Sequence, residues 1–230
     1  MRIAFLAAVA TILLIAAGCG GGGGAGAEPG HLEPQDAYLP LATGNWWEYE
    51  YRAPTVESSQ GARIPDRATY RVLGPLTISG QEWFEVQVTE WVAADGIGDP
   101  VSQNTVYLRE TREGVFFYEE LNKIALQWLK RNASPGDTWQ PEKDLGITWE
   151  MLDRHATADT QAGVFTGCLK VAEHDVYTSG SDQIEEVWER WFKQGVGMVM
   201  DRYWAEIPSS QQYPGLDPWD EHALLAYQVN

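Results

Sequence analysis

Residues 82–91 read Glu-Trp-Phe-Glu-Val-Gln-Val-Thr-Glu-Trp, and their character alternates at nearly every step. Phe84, Val86 and Val88 fall on one side. Trp83, Glu85, Gln87, Thr89 and Trp91 fall on the other. A period of two belongs to an extended chain with one face buried, because successive side chains of a strand point to opposite faces. The stretch Trp46–Tyr51 repeats the pattern, with Trp47, Tyr49 and Tyr51 opposed to Trp46, Glu48 and Glu50.

Working outward, further alternating or β-branched runs occur at 69–73, 105–109, 115–119, 124–129, 147–155, 165–174, 185–192 and 198–204. Clusters of turn formers separate them, among them Ile78-Ser-Gly-Gln81, Asn132-Ala-Ser-Pro-Gly-Asp137 and Lys193-Gln-Gly-Val-Gly197. This spacing predicts an all-β chain: a curved antiparallel sheet or open β-barrel of about ten strands, with few helices. The strongest helix signal is Leu216–Tyr227, where Asp217 could cap and Pro218 suits the first turn. Against it, Ala223, Leu225, Tyr227 and Val229 alternate, so the last eight residues are expected to form a strand. A faint repeat pairs Leu39–Trp47 with Arg131–Trp139, and Ile78–Val86 with Gln161–Val171. It predicts that the single β-rich domain, residues 38–230, is built of two similar halves.

The start of the chain is of another kind. Arg2 is followed by an apolar run from Ile3 to Ala17, interrupted only by Thr11. That is shorter than the roughly 20 residues a membrane-spanning helix needs, and it ends in small residues, as an export signal does. Ala16-Ala17-Gly18-Cys19 resembles the lipobox of bacterial lipoproteins. The resemblance implies removal of residues 1–18 and attachment of acyl chains to Cys19, which would be the protein's partner contact with the membrane. Several chains on one cysteine would hold it firmly, since each buried CH₂ contributes about 0.8 kcal/mol. Gly20–Gly30 is too glycine-rich to order, and residues 19–37 form the expected tether, with a root-mean-square span of roughly 20 Å. By the sorting rule of the lipoproteins it resembles, Gly20 rather than Asp behind the cysteine is compatible with the outer membrane of a two-membrane cell, facing the periplasm or the cell surface.

The net charge of −17 argues against nucleic acid as a partner. Only Cys19 and Cys168 are present, so no disulfide is expected, and Cys168 reads as a small buried residue.

Three segments carry a wider resemblance: Tyr38–Tyr51, Ala162–His174 and Trp188–Tyr203. They are similar to a group of poorly characterised bacterial lipoproteins. The matching positions are Pro40, Leu41, Gly44, Asn45, Trp47 and Tyr49, then Gly163, Phe165, Cys168, Leu169 and Val171, then Gly195, Val196 and Gly197. Trp191-Phe192 stands where a Trp-Tyr pair is more usual. The resemblance implies a curved antiparallel sheet and carries no established activity.

Signatures of known chemistry are absent: no H-E-x-x-H, C-x-x-C, G-x-S-x-G, S-x-x-K or phosphate-binding glycine loop occurs. Neither a catalytic residue, a metal nor a cofactor is expected. Asp95 with Asp99, and Asp217 with Asp220, Glu221 and His222, are acidic clusters that read as solvated turns. Glu185 and Glu189 lie about 13 Å apart along a strand, too far for paired carboxylate catalysis. Arg154 or His155 would approach Cys168 if residues 158–164 turn a hairpin, which would activate the thiol. The eleven tryptophans remain. Trp46, Trp83, Trp91, Trp188 and Trp191 are the aromatics expected to contact a ligand if they line a cleft. The expected function is that of a non-enzymatic, membrane-anchored envelope lipoprotein that binds a hydrophobic ligand or another envelope protein. The alternatives are a glycan-binding module using exposed Trp residues, and a carboxylate or thiol enzyme.

Overall fold

The stretch at 82–91 forms most of the third of twelve strands. The computed structural model describes residues 32–52, 67–91, 102–121, 123–140, 146–179, 182–206 and 220–230. Within them lie β1 (Trp46–Arg52), β2 (Arg67–Ile78), β3 (Gln81–Trp91), β4 (Ser102–Glu110), β5 (Gly114–Glu119) and β6 (Ile124–Lys130). Then follow β7 (Thr138–Trp139), β8 (Ile147–Thr160), β9 (Gly163–Ser179), β10 (Asp182–Lys193), β11 (Gly197–Glu206) and β12 (Asp220–Gln228). All pair antiparallel in one curved, unclosed sheet, ordered β6-β5-β4-β3-β2-β1-β12-β11-β10-β9-β8-β7. One short 3₁₀ turn, Pro34–Asp36, precedes them.

The strand signal beats the helix signal at the C-terminus because β12 fills the place between β1 and β11. There its Ala223 and Leu224 are fully buried. Residues 216–219 lie outside the described residues.

The order splits the chain into two six-strand meanders joined by the β1–β12 ladder. The entry to each meander is built alike. Gly44 N–H donates to Val72 O at 2.9 Å, and Val72 N–H donates back to Asn45 O at 2.9 Å. In the second half Gly136 N–H donates to Met151 O at 2.8 Å, and Met151 N–H to Asp137 O at 3.0 Å. The halves differ in the strand that follows. β1 is seven residues long and has a ladder on each side, whereas β7 has two residues and pairs only with β8.

Side chains bridge the seam between β6 and β7 in place of a ladder. Trp139 Nε1 donates to Gln127 O at 2.8 Å. Arg154 Nη1 donates to Arg131 O at 3.0 Å and Ala133 O at 2.6 Å. The inner faces of the two halves meet in one core that includes Trp47, Tyr49, Val86, Leu108, Phe192 and Met198. The space they leave, an apolar cavity of about 20 Å³, has room for one water and not for an acyl chain.

Up-and-down strands give the sheet two unlike ends. Tight turns at Ser79–Gly80, 111–113, 161–162 and 194–196 define a turn end. Connections 53–66, 92–101 and 207–219 leave from the other, the loop end. The lead-in, residues 32–45, plugs the turn end. Glu110 receives Tyr38 N–H and Leu39 N–H, each at 2.7 Å, and Arg131 Nη2 at 2.7 Å. Gly195 N–H donates to Ala37 O at 2.7 Å, and Trp47 Nε1 to Val196 O at 2.5 Å. Buried Asn45 donates to Pro40 O and accepts from the backbone N–H of Asn230, tying in the C-terminus. Pro40, Asn45, Trp47 and Val196, singled out above for a resemblance, thus meet in a structural closure.

The Glu110 side chain is only 5% exposed. Glu110→Ala strands two backbone donors and Arg131, and is expected to cost about 2–4 kcal/mol in denaturant unfolding. Proteolysis between residues 32 and 42 should accelerate with it; an unchanged cleavage rate would show that the clamp does not hold the lead-in.

Candidate functional site

Charged and aromatic side chains gather on the inner face toward the loop end. A direct ladder row of same-facing residues runs Trp149, Glu173, Trp188, Tyr203 across β8 to β11. The next row runs Met151, Val171, Arg190, Asp201. Arg190 is 8% exposed. Its Nη1 donates to Glu173 Oε2 at 2.6 Å, and its Nε lies 3.8 Å from Asp201 Oδ2. Its guanidinium sits over Trp128 at 4.9 Å and Trp149 at 5.3 Å from the ring centroids. Trp128 belongs to β6, so this one side chain links the halves across the interior. Burial alone would lower the Arg190 pKa, but Glu173 and Asp201 outweigh it and keep the group charged.

Carboxylates continue outward from it. Burial, then Glu186 and Glu173, push Asp175 above the usual carboxylate range. Glu186 accepts from Tyr177 Oη at 2.8 Å, and Tyr177 is pushed up to about 12 by burial and by that bond. Across the interior, Glu90 accepts from Ser102 Oγ at 2.6 Å. Burial first, then Asp201 and Glu90, raise the pKa of Tyr70. Trp188 and Tyr203 lie beside this lining with ring centroids 4.8 Å apart. The arrangement, acidic with half-buried aromatic rings, suits a cationic group: carboxylates supply charge and rings supply cation–π attraction.

Asp175 gives a pH test. Its folded pKa is raised, so its contribution to stability is fully present below the unfolded value of about 3.9 and is lost as pH rises through the folded value. Asp175→Asn is therefore expected to melt about 1–3 °C above the parent at pH 7 and level with it near pH 4. Thermal melts across that range check it, and a melt below the parent's at pH 7 would count against the repulsion.

Of the five tryptophans expected to contact a ligand, Trp188 is on this inner face and half-buried. Trp46 and Trp91, on the outer face, are half-buried too, and Trp46 Nε1 donates to Gln228. Trp83 and Trp191 are 1% and 4% exposed although both stand on the outer face. Arg109 covers Trp83 at 4.7 Å, with Tyr118 against it at 5.4 Å. Lys170 and Arg202 flank Trp191 at 4.6 and 5.2 Å. The bent β8–β9 hairpin folds back beside it: Ala162 N–H donates to Leu224 O at 3.1 Å.

Cys168 is fully buried, with burial raising its thiol pKa, and its Sγ contacts Phe165 O at 3.4 Å. Ala156, and not His155, is its cross-strand partner. His155 is exposed, and Arg154 is taken by the seam. Lys193 is the cation that acts on the thiol. Glu185 and Glu189 share the outer face, bound to His174 at 2.8 Å and Lys170 at 2.5 Å, while Glu186 faces inward. Among the described residues no three His, Cys, Asp or Glu side chains form a metal-holding group. Cys19, Asp95, Asp99 and Asp217 lie outside the described residues.

Sequence reasoning passed over Arg190 and Glu173. A signal was there: in Trp188-Glu-Arg-Trp-Phe192, period two puts Arg190 on the same face as Trp188 and Phe192.

Two solved structures share this architecture. A candidate exported protein with a YmcC-like fold from Bacteroides fragilis aligns with TM-score 0.54 and 14% identity, over 84% of this chain and 99% of its own. The fold is YmcC-like. A candidate lipoprotein from Parabacteroides distasonis aligns with TM-score 0.52 and 12% identity, over the same 84% and 99%. No family model and no curated protein matches the sequence. At such identity the likeness is one of fold.

Proposed function

We propose that the protein is a lipid-anchored lipoprotein of the bacterial envelope, held through Cys19, whose β domain is non-enzymatic and binds a cationic region of another envelope protein. The observation that carries this reading is the inner lining at the loop end. Glu173 and Asp201 flank the guanidinium of Arg190 there, with Glu90, Asp175 and Glu186 further along the same inner face, beside Trp188 and Tyr203. The charged lining favours a protein partner over an acyl chain, and the core cavity found among the described residues has room for one water. The export signal and lipobox support the location, as do the two fold relatives described as exported protein and lipoprotein.

A photo-crosslinking amino acid placed at Tyr177, exposed at the end of the lining, should capture an envelope protein in growing cells. One placed at Glu82, exposed near the turn end, should not. Capture should weaken with salt, because opposite charges are screened over about 8 Å at physiological ionic strength. Equal capture from both ends would refute the site. A glycan ligand would instead show as salt-insensitive quenching of Trp fluorescence.

A further inference from the structure

The strands, the lead-in and the tether together set which end of the domain faces the membrane. The first described residue, Leu32, is already on the turn end, where Glu110, Arg131 and Gly195 pin the next few residues through backbone bonds. Only residues 20–31, seven of them glycine, separate this fixed exit from Cys19. The turn residues 111–113 and 120–121 stand at opposite ends of β5. β5 itself is six residues long, or about 20 Å of strand.

We infer that the turn end, closed by the lead-in, is the membrane-facing surface, and that the loop end with its acidic and aromatic lining is held outward as the interaction surface. This rests on the lipid-anchored reading of Cys19. The charge does not oppose this: a chain of net charge −17 is repelled by anionic headgroups, so the domain has no net attraction that would lay it flat. A partner resident on the same membrane would then meet the turns. A partner reaching toward that membrane from beyond it would meet the loop end.

Energy transfer tests the assignment. Full-length lipidated chain carrying Arg112→Cys or Leu121→Cys is labelled with a donor dye and reconstituted into vesicles of phosphatidylethanolamine and phosphatidylglycerol with a headgroup acceptor. Both positions are exposed, Leu121 at 86%, and the buried Cys168 is shielded from the label. Transfer from residue 112 should clearly exceed transfer from residue 121. Equal transfer, or the reverse order, overturns the orientation. Failure of the chain to float with the vesicles, or a Cys19→Ser variant that floats as well as the parent, overturns the anchor itself. Substituting Glu110→Ala as well should bring the two values closer, because the exit is then no longer pinned.

Discussion

Arg190→Met should lose about 3–5 kcal/mol of stability at pH 7. Among the described residues Arg190 supplies the guanidinium that pairs with Glu173 and Asp201, themselves 13% and 17% exposed. Methionine fills much of the volume and keeps contact with Trp128 and Trp149, so the packing loss is small. What remains is a pair of inner carboxylates with no cation, the costly outcome when one partner of a buried ion pair is removed. Urea unfolding at pH 7 measures this. A companion with Glu173→Gln and Asp201→Asn added should recover much of the loss at pH 7, since no uncompensated charge is left inside. Parent-like stability of Arg190→Met at pH 7 would mean that water reaches the carboxylates freely, and that the Arg190 pairs are not a buried ion cluster.

The same residue marks where sequence reading stops. Period-two alternation located β3, β4, β5 and β6, and the last eight residues as strand, because one wet and one dry face leave their record directly in the order of residues. β7 left no such record: two residues, Thr138 and Trp139, are too few for a period. The outer tryptophans were misleading for a different reason. Alternation says which face Trp83 takes, but its burial comes from Arg109, 26 positions further on in β4, and from Tyr118 in β5. The cover of Trp191 likewise depends on the register shifts that bend the β8–β9 hairpin back over β12. Arg190 was legible as a charge on an apolar face. Its meaning needed the fold, because Trp128 comes from the opposite half and no local pattern connects the two.

Gly114→Ala should be the most damaging single-methyl change in the domain, costing more than about 4 kcal/mol or abolishing soluble expression. A Cβ at this position would lie 1.6 Å from Leu129 O and 2.7 Å from its carbonyl carbon. Both are backbone atoms of β6, fixed by the Val115–Leu129 pairing and by Arg131 N–H donating to Glu113 O at 2.9 Å. No rotamer change relieves a backbone clash, so β6 would have to leave β5. β5 is its only ladder partner, because β6 is the sheet's edge. Detachment would take with it the Trp139 bond to Gln127 O and the Trp128 ring beneath Arg190, so the seam and the inner ion cluster fail together. Gly80→Ala is the matched control. Gly80 also has positive φ, 76°, but a Cβ there meets nothing within 4 Å. It should cost only the left-handed backbone penalty of about 1–2 kcal/mol. Melting temperatures of the two variants separate steric exclusion from conformational preference. If Gly114→Ala melts within a few degrees of Gly80→Ala, the β5–β6 ladder is not held as tightly as its geometry requires, and the link from edge strand to inner cluster is broken.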